Sequence, residues 1–337
     1  MPVRVLLTND DGPPGHESPY IYGLYRYLTS VLGWDVKVVI PSSQKSWIGK
    51  AFFITELVKG RYYYPRGPDG FGETSETSRP LKEGEVAEWV LLDATPATCA
   101  NIGLHNLWPG QIDLLISGPN LGRNSSAAFA LSSGTIGAAL SSSLSKIRSI
   151  AISYGTVLHP TPTEYFDPAH KLGARIIQHL VENWGTDSEG LRDGEVDLYN
   201  INIPMVPALL TEEGLPIYWT RMWRNSYGRL FKAHAVTKPA TSPAGPDSLD
   251  ADPFPTSAPG ESTQQGDSGP LTFKFAPDMT HLINPTKSML PVGSDGWAIS
   301  QGYVSVTPLR ACFAEPTGQE SEVKVGDTEA ALTRLKL

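Results

Sequence analysis

The sequence predicts an α/β fold, a three-layer Rossmann-like domain with a mostly parallel sheet and a smaller C-terminal β-hairpin region. Two observations predict this class. Short runs of consecutive apolar residues, typical of parallel strands buried on both faces, recur along the first two hundred residues. Between them lie stretches with apolar residues three and four positions apart, typical of amphipathic helices. This alternation indicates an open sheet covered by helices on both faces.

The chain opens with a predicted β-α-β unit. Residues 3–8 form a short apolar strand, and residues 35–40 form a second one. Between them, Ser18 is expected to cap a helix whose apolar face includes Leu24 and Val31, and Gly33 is expected to end it. The pattern then continues with strands predicted at 88–92, 112–117, 149–154 and 198–204, and with helices predicted at 96–107, from 134, and at 169–184.

The residue pattern changes in the C-terminal third of the chain. Residues 215–236 are aromatic and strand-like, which predicts hairpins, whereas residues 239–270 are rich in Pro, Ser, Gly and Asp and predict a disordered insertion. We therefore expect an α/β core over residues 1–205 and a hairpin-rich extension of the same domain over 206–310. Residues 311–337 are expected to form a charged C-terminal tail, for which a terminal helix is one option.

The composition of the chain excludes some classes of binding partner. The 337 residues carry a net charge of −8 and only two cysteines, Cys99 and Cys312. The acidic balance argues against a nucleic-acid duplex as partner, and two distant cysteines give no disulfide framework. The sequence contains no run of about 18 apolar residues, the length that would predict a membrane-spanning helix. The sequence thus predicts a cytoplasmic protein without a membrane partner.

Asp10 and Asp11 follow the first strand directly, in the stretch LLTNDDGPPG. Two adjacent carboxylates repel each other unless a cation or a proton offsets one charge, and a divalent metal neutralises both. The alternative is a helix cap plus one solvated acid. The pair alone does not decide between a metal site and this structural role.

Polar, glycine-containing loops follow two further strands. The loop PSSQKSWIGKA offers Lys45 as a phosphate counter-charge and Ser46 as a metal-ligating hydroxyl, and SGPNLGRN offers Asn120 and Asn124. An asparagine amide ligates a hard metal, holds a phosphate or stabilises a turn. Because ligands bind outside the carboxyl ends of parallel strands, these loops are expected to meet near Asp10 and Asp11.

The stretch SSGTIGAAL places Ser133, Gly134 and Thr135 at the start of a helix. The free N–H groups and the positive dipole end of a helix favour an anion there. An ordinary Ser or Thr cap explains the same residues without any ligand. Phosphate binding by these residues is therefore one of two readings.

The motifs NDDG, KSW, SGPNLGRN, SSGTIGAA and GYVSVTPL, in this order, resemble the SurE family of metal-dependent nucleoside monophosphate phosphatases. The resemblance spans residues 3–155 closely and 197–310 more loosely, and DATPATCANIGL resembles the family's TPxxC helix start, which places Cys99 in a helix core. The resemblance implies dimers or tetramers through exchanged hairpin arms. A hairpin folded on its own sheet is the alternative.

Carried over by residue, the resemblance implies two groups. The metal ligands are Asp10, Asp11, Ser46 and Asn120; the phosphate-binding residues are Asn124, Ser133, Gly134 and Thr135, with Asn9 beside them supporting the first turn. Trp47 departs from the family, which usually has glycine after this serine, and the insertion at 239–270 has no counterpart in bacterial members. These departures bear on substrate preference.

The predicted activity is hydrolysis of nucleoside monophosphates (5'/3'-nucleotidase) or other small phosphomonoesters by metal-activated water. An all-oxygen ligand set suits Mg²⁺ or Mn²⁺, and Asp10, Asp11 and Asn124 are the candidate catalytic residues. Two alternatives remain. One is a Rossmann-like module that binds a nucleotide without cleaving it. The other, a haloacid-dehalogenase-type phosphatase with an Asp nucleophile, needs acids two positions apart, but Asn9 stands two before Asp11.

Overall fold

A ten-stranded sheet forms the centre of the protein. The structure is a computed structural model and describes residues 2–156, 160–233, 271–277 and 285–314. The strands are β1 (Arg4–Thr8), β2 (Asp35–Pro41), β3 (Gly60–Pro65), β4 (Gly72–Ser75), β5 (Trp89–Leu92), β6 (Leu114–Leu121), β7 (Arg148–Thr156), β8 (Leu198–Met205), β9 (Ile217–Trp219), β10 (Phe231–Ala233), β11 (Phe273–Phe275) and β12 (Val304–Leu309). Ten of them form the large sheet in the order β4-β3-β5-β2-β1-β6-β7-β8-β12-β9.

The sheet has a parallel centre and mixed ends. The six strands from β5 to β8 in this order are parallel to their neighbours, while β3, β4 and β12 introduce the antiparallel pairs. At the far end β9 runs parallel to β12. The parallel centre confirms the predicted fold class. The hairpin formed by β3 and β4, which extends the sheet beyond β5, was not predicted from the sequence.

Helices cover both faces of the sheet. They are α1 (Ile21–Arg26), which continues as a π-helical turn over Tyr27–Val31; α2 (Pro96–Ile102), which continues in the same way over Gly103–Leu107; α3 (Ala127–Ser132); α4 (Gly134–Leu144); α5 (Phe166–Glu182); and α6 (Asp295–Ser300). Val5 and Leu7 of β1 pack on the core shared with α1 and α5, and Leu6 packs with α2 and α4. This alternation along β1 produces the three layers.

Three local predictions are settled by this structure. Cys99 is completely buried in α2, which confirms its place in a helix core. Ser18 does not cap α1, because its hydroxyl bonds with Asn9 and the Gly12 carbonyl, and the N-cap residue is Tyr20. Val31, expected on the apolar face, is 67% exposed because α1 changes to a π-helical turn before reaching it.

The chain divides into two units, one over residues 1–225 and 287–337 and the other over 226–286. In the second unit β10 pairs antiparallel with β11, and the rings of Phe231 and Phe275 meet at 5.5 Å. The hairpins predicted for 215–236 take another form in the described residues, because β9 pairs with β12. The expected insertion at 239–270 and the tail from 315 lie outside the described residues, and the predicted domain boundaries stay a prediction.

None of the helices in the described ranges combines the length and the apolar composition needed to cross a bilayer.

Candidate functional site

Four segments of the chain meet at the carboxyl edge of the sheet around Asp10 and Asp11. The loop after β2 is tied in through the Lys45 N–H, which donates to the Asp10 carbonyl at 2.7 Å. The end of β6 is tied in through the Leu121 N–H, which donates to Asp11 Oδ2 at 2.7 Å. At the start of α4, the Thr135 hydroxyl donates to Asp10 Oδ1 at 2.6 Å. Asp10 and Asp11 are thus the residues to which the other three segments attach, two of them through the carboxylates and one through the Asp10 carbonyl.

Asn9 builds the turn that carries the pair. Its side chain is completely buried, its Oδ1 accepts from the Gly12 N–H, and its Nδ2 donates to the Gly12 carbonyl and to Ser18 Oγ. Gly12 has a φ of +87°, a conformation that L side chains rarely adopt. The support of the turn expected of Asn9 is visible in these bonds, and its contact with phosphate stays a prediction.

The pair is buried, and hydrogen bonds offset the cost of burying its charge only in part. Asp10 is 3% exposed and Asp11 is 5% exposed. Burial raises the pKa of Asp10 to about 6, against bonds from Thr135 and from the main chain of Gly134 and Thr135 that lower it. Burial and the neighbouring charge of Asp10 raise the pKa of Asp11 well above its ordinary value. Two carboxyl groups held in this way have a strong affinity for a proton or a cation.

The first turn of α4 lies directly against Asp10. A Cβ atom on Gly134 would come within 2.8 Å of the Asp10 Cβ, so only glycine allows this approach. Ser133 caps the helix, because its Oγ accepts from the Ile136 N–H at 3.2 Å. Its hydroxyl proton is not used in that bond. Gly134 and Thr135, two of the expected phosphate-binding residues, therefore lie against Asp10, and the Thr135 hydroxyl orients its carboxylate.

The loop after β2 places Ser46 at the surface beside this site. Ser46 is exposed, and its Oγ accepts from Gln44 Nε2 at 2.7 Å. Trp47 has a φ of +64°, in the left-handed region that favours glycine, and its ring meets Phe129 edge-on with 6.0 Å between centroids. Glycine adopts this backbone conformation at little cost, and Trp47 adopts it while packing on α3.

The end of β6 carries Asn120 past an irregularity in the sheet. The register between β6 and β7 shifts between Ser117 and Asn120. Gly118 permits the shift, because it has a φ of +118° and a Cβ atom would lie 2.1 Å from the Ile152 carbonyl oxygen. Asn120 is 8% exposed, and its Nδ2 donates to the Gly122 carbonyl at 3.1 Å. That bond leaves the amide oxygen as the ligating atom expected of this residue.

Asn124 is held by three side chains of the sheet. Its N–H donates to Asn202 Oδ1 at 2.7 Å, its Nδ2 donates to Ser153 Oγ at 2.9 Å, and its carbonyl accepts from Asn200 Nδ2 at 2.8 Å. Asn200 and Asn202 were not selected from the sequence. Two asparagines two positions apart in a strand otherwise apolar were the signal, since both project from one buried face of β8.

Asp295 fixes the remaining side of the loop between β6 and α4. It is completely buried and accepts the Ser126 N–H on Oδ2 and the N–H groups of Trp223 and Gly296 on Oδ1, at 2.7 to 2.8 Å. Ser126 itself has a φ of +85°. Sequence reasoning missed Asp295, because its partner Ser126 lies 169 residues away.

The donor set fits a hard divalent cation. None of the salt bridges among described residues involves Asp10 or Asp11. No group of three or more His, Cys, Asp or Glu within the described ranges has the arrangement of a metal site. A cation here would therefore combine two carboxylates with hydroxyl and amide oxygens, a set suited to Mg²⁺ or Mn²⁺.

Comparison with known proteins identifies a family. The family model described as Survival protein SurE matches residues 5–229. The protein named Probable tubulin--tyrosine ligase PBY1 from Saccharomyces cerevisiae is 32% identical over 98% of this chain, and the match spans only 44% of that relative's length. A 5'-nucleotidase SurE from Pelobacter propionicus is 30% identical over 67% of this chain and 74% of its own.

A solved structure shows the same fold. The crystal structure of the Sure protein from Aquifex aeolicus superposes with a TM-score of 0.57 at 23% identity, covering 92% of this chain and 94% of that one. At this identity the likeness concerns the fold.

Proposed function

The chain belongs to the SurE family, and from this premise we propose that it is a divalent-metal-dependent phosphatase that hydrolyses nucleoside monophosphates. The observation that carries the proposal is the buried Asp10–Asp11 pair, to which the first turn of α4 and the loops after β2 and β6 attach. The names of several relatives, 5'-nucleotidase SurE, support the substrate class.

In this proposal Asp10, Asp11, Ser46 and Asn120 would hold a Mg²⁺ or Mn²⁺ ion. The ion, when bound, neutralises the carboxylates and makes a water molecule a better nucleophile. Asp10 or Asp11 orients or deprotonates the attacking water. The bond from Thr135 keeps Asp10 Oδ1 in one orientation for this role.

The residues around the pair act on the phosphoryl group. Asn124 and the first turn of α4, over residues 133–135, stabilise the charge on the equatorial oxygens while the bond to the leaving oxygen breaks. Ser133 has a hydroxyl proton to donate, because its oxygen only accepts in the cap. Asn124 is already fixed by Asn202, Ser153 and Asn200, so it does not reorganise during the reaction.

The test is phosphate release from a panel of nucleoside monophosphates, with Mn²⁺, with Mg²⁺ and with a chelator. The proposal requires turnover with either ion and none with the chelator. A nucleotide that binds but is not cleaved under any condition would favour the binding-module alternative. A trapped aspartyl phosphate would favour the Asp-nucleophile alternative over direct attack by water.

We do not propose ligase activity from the name of the yeast relative, because this chain spans 44% of that protein. Assembly into a homo-oligomer is part of the proposal. It is supported by β9, an outer strand of the large sheet whose residues Ile217 and Trp219 are 50% and 62% exposed, since exposed sheet edges are commonly paired or covered. Light scattering on the purified chain tests it.

A further inference from the structure

A cavity lies beside the carboxylate pair, on the face of the sheet covered by α1 and α5. It has a volume of about 640 Å³, which is within the range of small-molecule sites. Its wall is formed by α1, by the start of α5, by the loop between β3 and β4, and by the residues after β7. None of the residues assigned above to the metal or the phosphate lines it.

Aromatic rings form much of this wall. Tyr22 is almost fully buried against the core, Tyr27 and Phe166 are partly buried, and Phe71 is 52% exposed. An exposed phenylalanine beside several other rings provides flat apolar surfaces on which a planar heterocycle stacks. The cavity is therefore suited to an aromatic ligand more than to a flexible aliphatic one.

The charged groups of the cavity disfavour an anion. Two carboxylates, Asp69 and Asp167, line it together with one guanidinium, Arg26. Asp69 Oδ1 accepts from the Phe71 N–H at 3.0 Å, and Asp167 Oδ2 accepts from the Tyr27 hydroxyl at 2.9 Å. A phosphate would meet more negative than positive charge, whereas the edge of a nucleobase has both donors and acceptors for these groups.

The cavity begins where the carboxylate site ends. Leu121 lines the cavity, and its N–H donates to Asp11 Oδ2. Gly15 and His16 also line it, and Gly15 is four residues from Asp11, a stretch of chain that spans at most about 14 Å. This loop is closed by the Gly15 and Ser18 main-chain bonds and by Asn9. The two sites are thus adjacent and held at a fixed spacing.

We propose that this cavity binds the nucleobase of the nucleoside monophosphate whose phosphate lies at Asp10 and Asp11. The proposal rests on the proposed function and adds the location and chemistry of the specificity site. The base stacks on the ring of Phe71, Arg26 and the two carboxylates contact its edge, and the ribose bridges Gly15 and Leu121. A phosphomonoester without a base fills only the carboxylate site.

The first experiment compares two substrates, adenosine 5'-monophosphate and ribose 5-phosphate, in the 337-residue chain. The ratio of their kcat/KM values falls about tenfold in Phe71→Ala, through a higher KM for the nucleotide, because a stacking surface is lost. Arg26→Gln, at an exposed position, also lowers the ratio, because the guanidinium that contacts the edge of the base is lost. Phe313→Ala, which removes an exposed phenylalanine outside the cavity, leaves the ratio unchanged. An unchanged ratio in both cavity variants overturns the proposal.

The second experiment separates this proposal from the proposed function. Calorimetry with adenosine, which has no phosphate, measures the cavity alone. Adenosine binds the wild-type chain and Asp10→Asn with the same affinity, and Phe71→Ala binds it about tenfold more weakly. If no phosphomonoester is hydrolysed but adenosine binds in this way, the proposed function fails and the cavity assignment stands. If nucleotides are hydrolysed but adenosine does not bind, the cavity assignment is wrong and the proposed function stands.

Discussion

Two kinds of buried carboxylate lie within the same unit, and they are held in opposite ways. Asp295 is completely buried and accepts three main-chain N–H groups from three separate segments. Asp10 and Asp11 are nearly as buried, but each has the other's carboxylate beside it. Burial raises the pKa of all three carboxyl groups, and at Asp11 the charges of Asp10 and Glu17 raise the pKa further.

The difference teaches what each site is built for. Three bonds to neutral donors stabilise the charge of Asp295 permanently, which makes it a structural anchor for the loop that carries Asn124 and Ser126. Asp10 also accepts hydrogen bonds, from the Thr135 hydroxyl and from the main chain of Gly134 and Thr135, but Asp11 accepts the Leu121 N–H while the charge of Asp10 lies beside it. These bonds offset the repulsion within the pair only in part, so a bound cation would stabilise the folded form. A residue whose interactions are complete stabilises the fold, and one whose interactions are incomplete is available for a ligand.

Asp10→Asn is expected to have the largest effect on activity and a small effect on folding. The substitution keeps the size of the side chain and removes one of two repelling charges, so the free energy of unfolding stays equal or increases. Turnover of nucleoside monophosphates falls about a thousandfold, because a carboxylate that orients or deprotonates water is lost. Phosphate release and urea unfolding measure the two quantities. Asp35→Asn, which changes an exposed aspartate, is the control. A clear fall in the free energy of unfolding of Asp10→Asn, beyond that of the control, would contradict the comparison.

Asp295→Asn is expected to lower stability strongly and activity less, the reverse of Asp10→Asn. An asparagine NH₂ group must face at least one of the N–H donors that the carboxylate accepts, which leaves a buried donor unpaired. The free energy of unfolding falls by about 3 to 4 kcal/mol. Activity per folded molecule falls less than in Asp10→Asn, because Asp295 contacts no group assigned to the reaction. Urea unfolding followed by fluorescence tests this, and a stability equal to that of Asp35→Asn would show that the three bonds contribute nothing.

The pH dependence of stability distinguishes the pair from an ordinary carboxylate. The pKa of Asp10 is about 6 in the folded chain against an ordinary value of 3.8, so the folded chain binds this proton more tightly than the unfolded one. The stabilisation from that proton is present below pH 4 and is lost as the pH rises through 4 to 6. A pKa difference of about 2 corresponds to about 3 kcal/mol.

Urea unfolding in a chelator between pH 4 and pH 7.5 measures this loss. Asp10→Asn is expected to have a flatter profile, because it no longer releases that proton. Mn²⁺ raises the stability of the wild-type chain more at pH 7 than at pH 5, because it competes with the proton for the carboxylates. Parallel profiles for the wild-type chain and Asp10→Asn would show that burial has not raised this pKa.

The parts of the fold that could be predicted are those set by local pattern. Leu6, Leu7 and Thr8 running into Asp10 and Asp11 place a strand end and its acids with no knowledge of the rest of the chain. The α4 start was predictable for the same reason, because Ser133 and Gly134 are neighbours in sequence. The motif order then connected these segments, and in the structure the Leu121 N–H donates to Asp11 and the Thr135 hydroxyl donates to Asp10.

The parts that could not be predicted depend on partners distant in sequence or on competing local uses. Serine is a common helix cap, but the Ser18 hydroxyl instead accepts from Asn9 Nδ2 and donates to the Gly12 carbonyl. The β3 and β4 hairpin contains GRYYYP and GETS, which are too short and mixed to show a clear alternation. Asp295 has a role only once Ser126 and Trp223 are beside it. Long-range pairing of this kind leaves no signal in a single sequence.

Trp47 gives the smallest expected effect. Its φ of +64° imposes a cost of about 1 to 2 kcal/mol on any residue except glycine. Its ring recovers part of that cost by packing on Phe129. Trp47→Ala keeps the unfavourable backbone and loses the ring, whereas Trp47→Gly loses the ring and relieves the backbone. We therefore expect Trp47→Gly to be about 1 kcal/mol more stable than Trp47→Ala.

The order of these two variants is what makes the test specific. At Arg175, an exposed position inside α5, the alanine variant is expected to be more stable than the glycine variant by a similar amount, because glycine loses more backbone freedom in a helix. Urea unfolding of the four variants compares the two positions directly. If the alanine variant is the more stable one at both positions, the backbone at residue 47 is not strained. The left-handed conformation of Trp47 would then be contradicted.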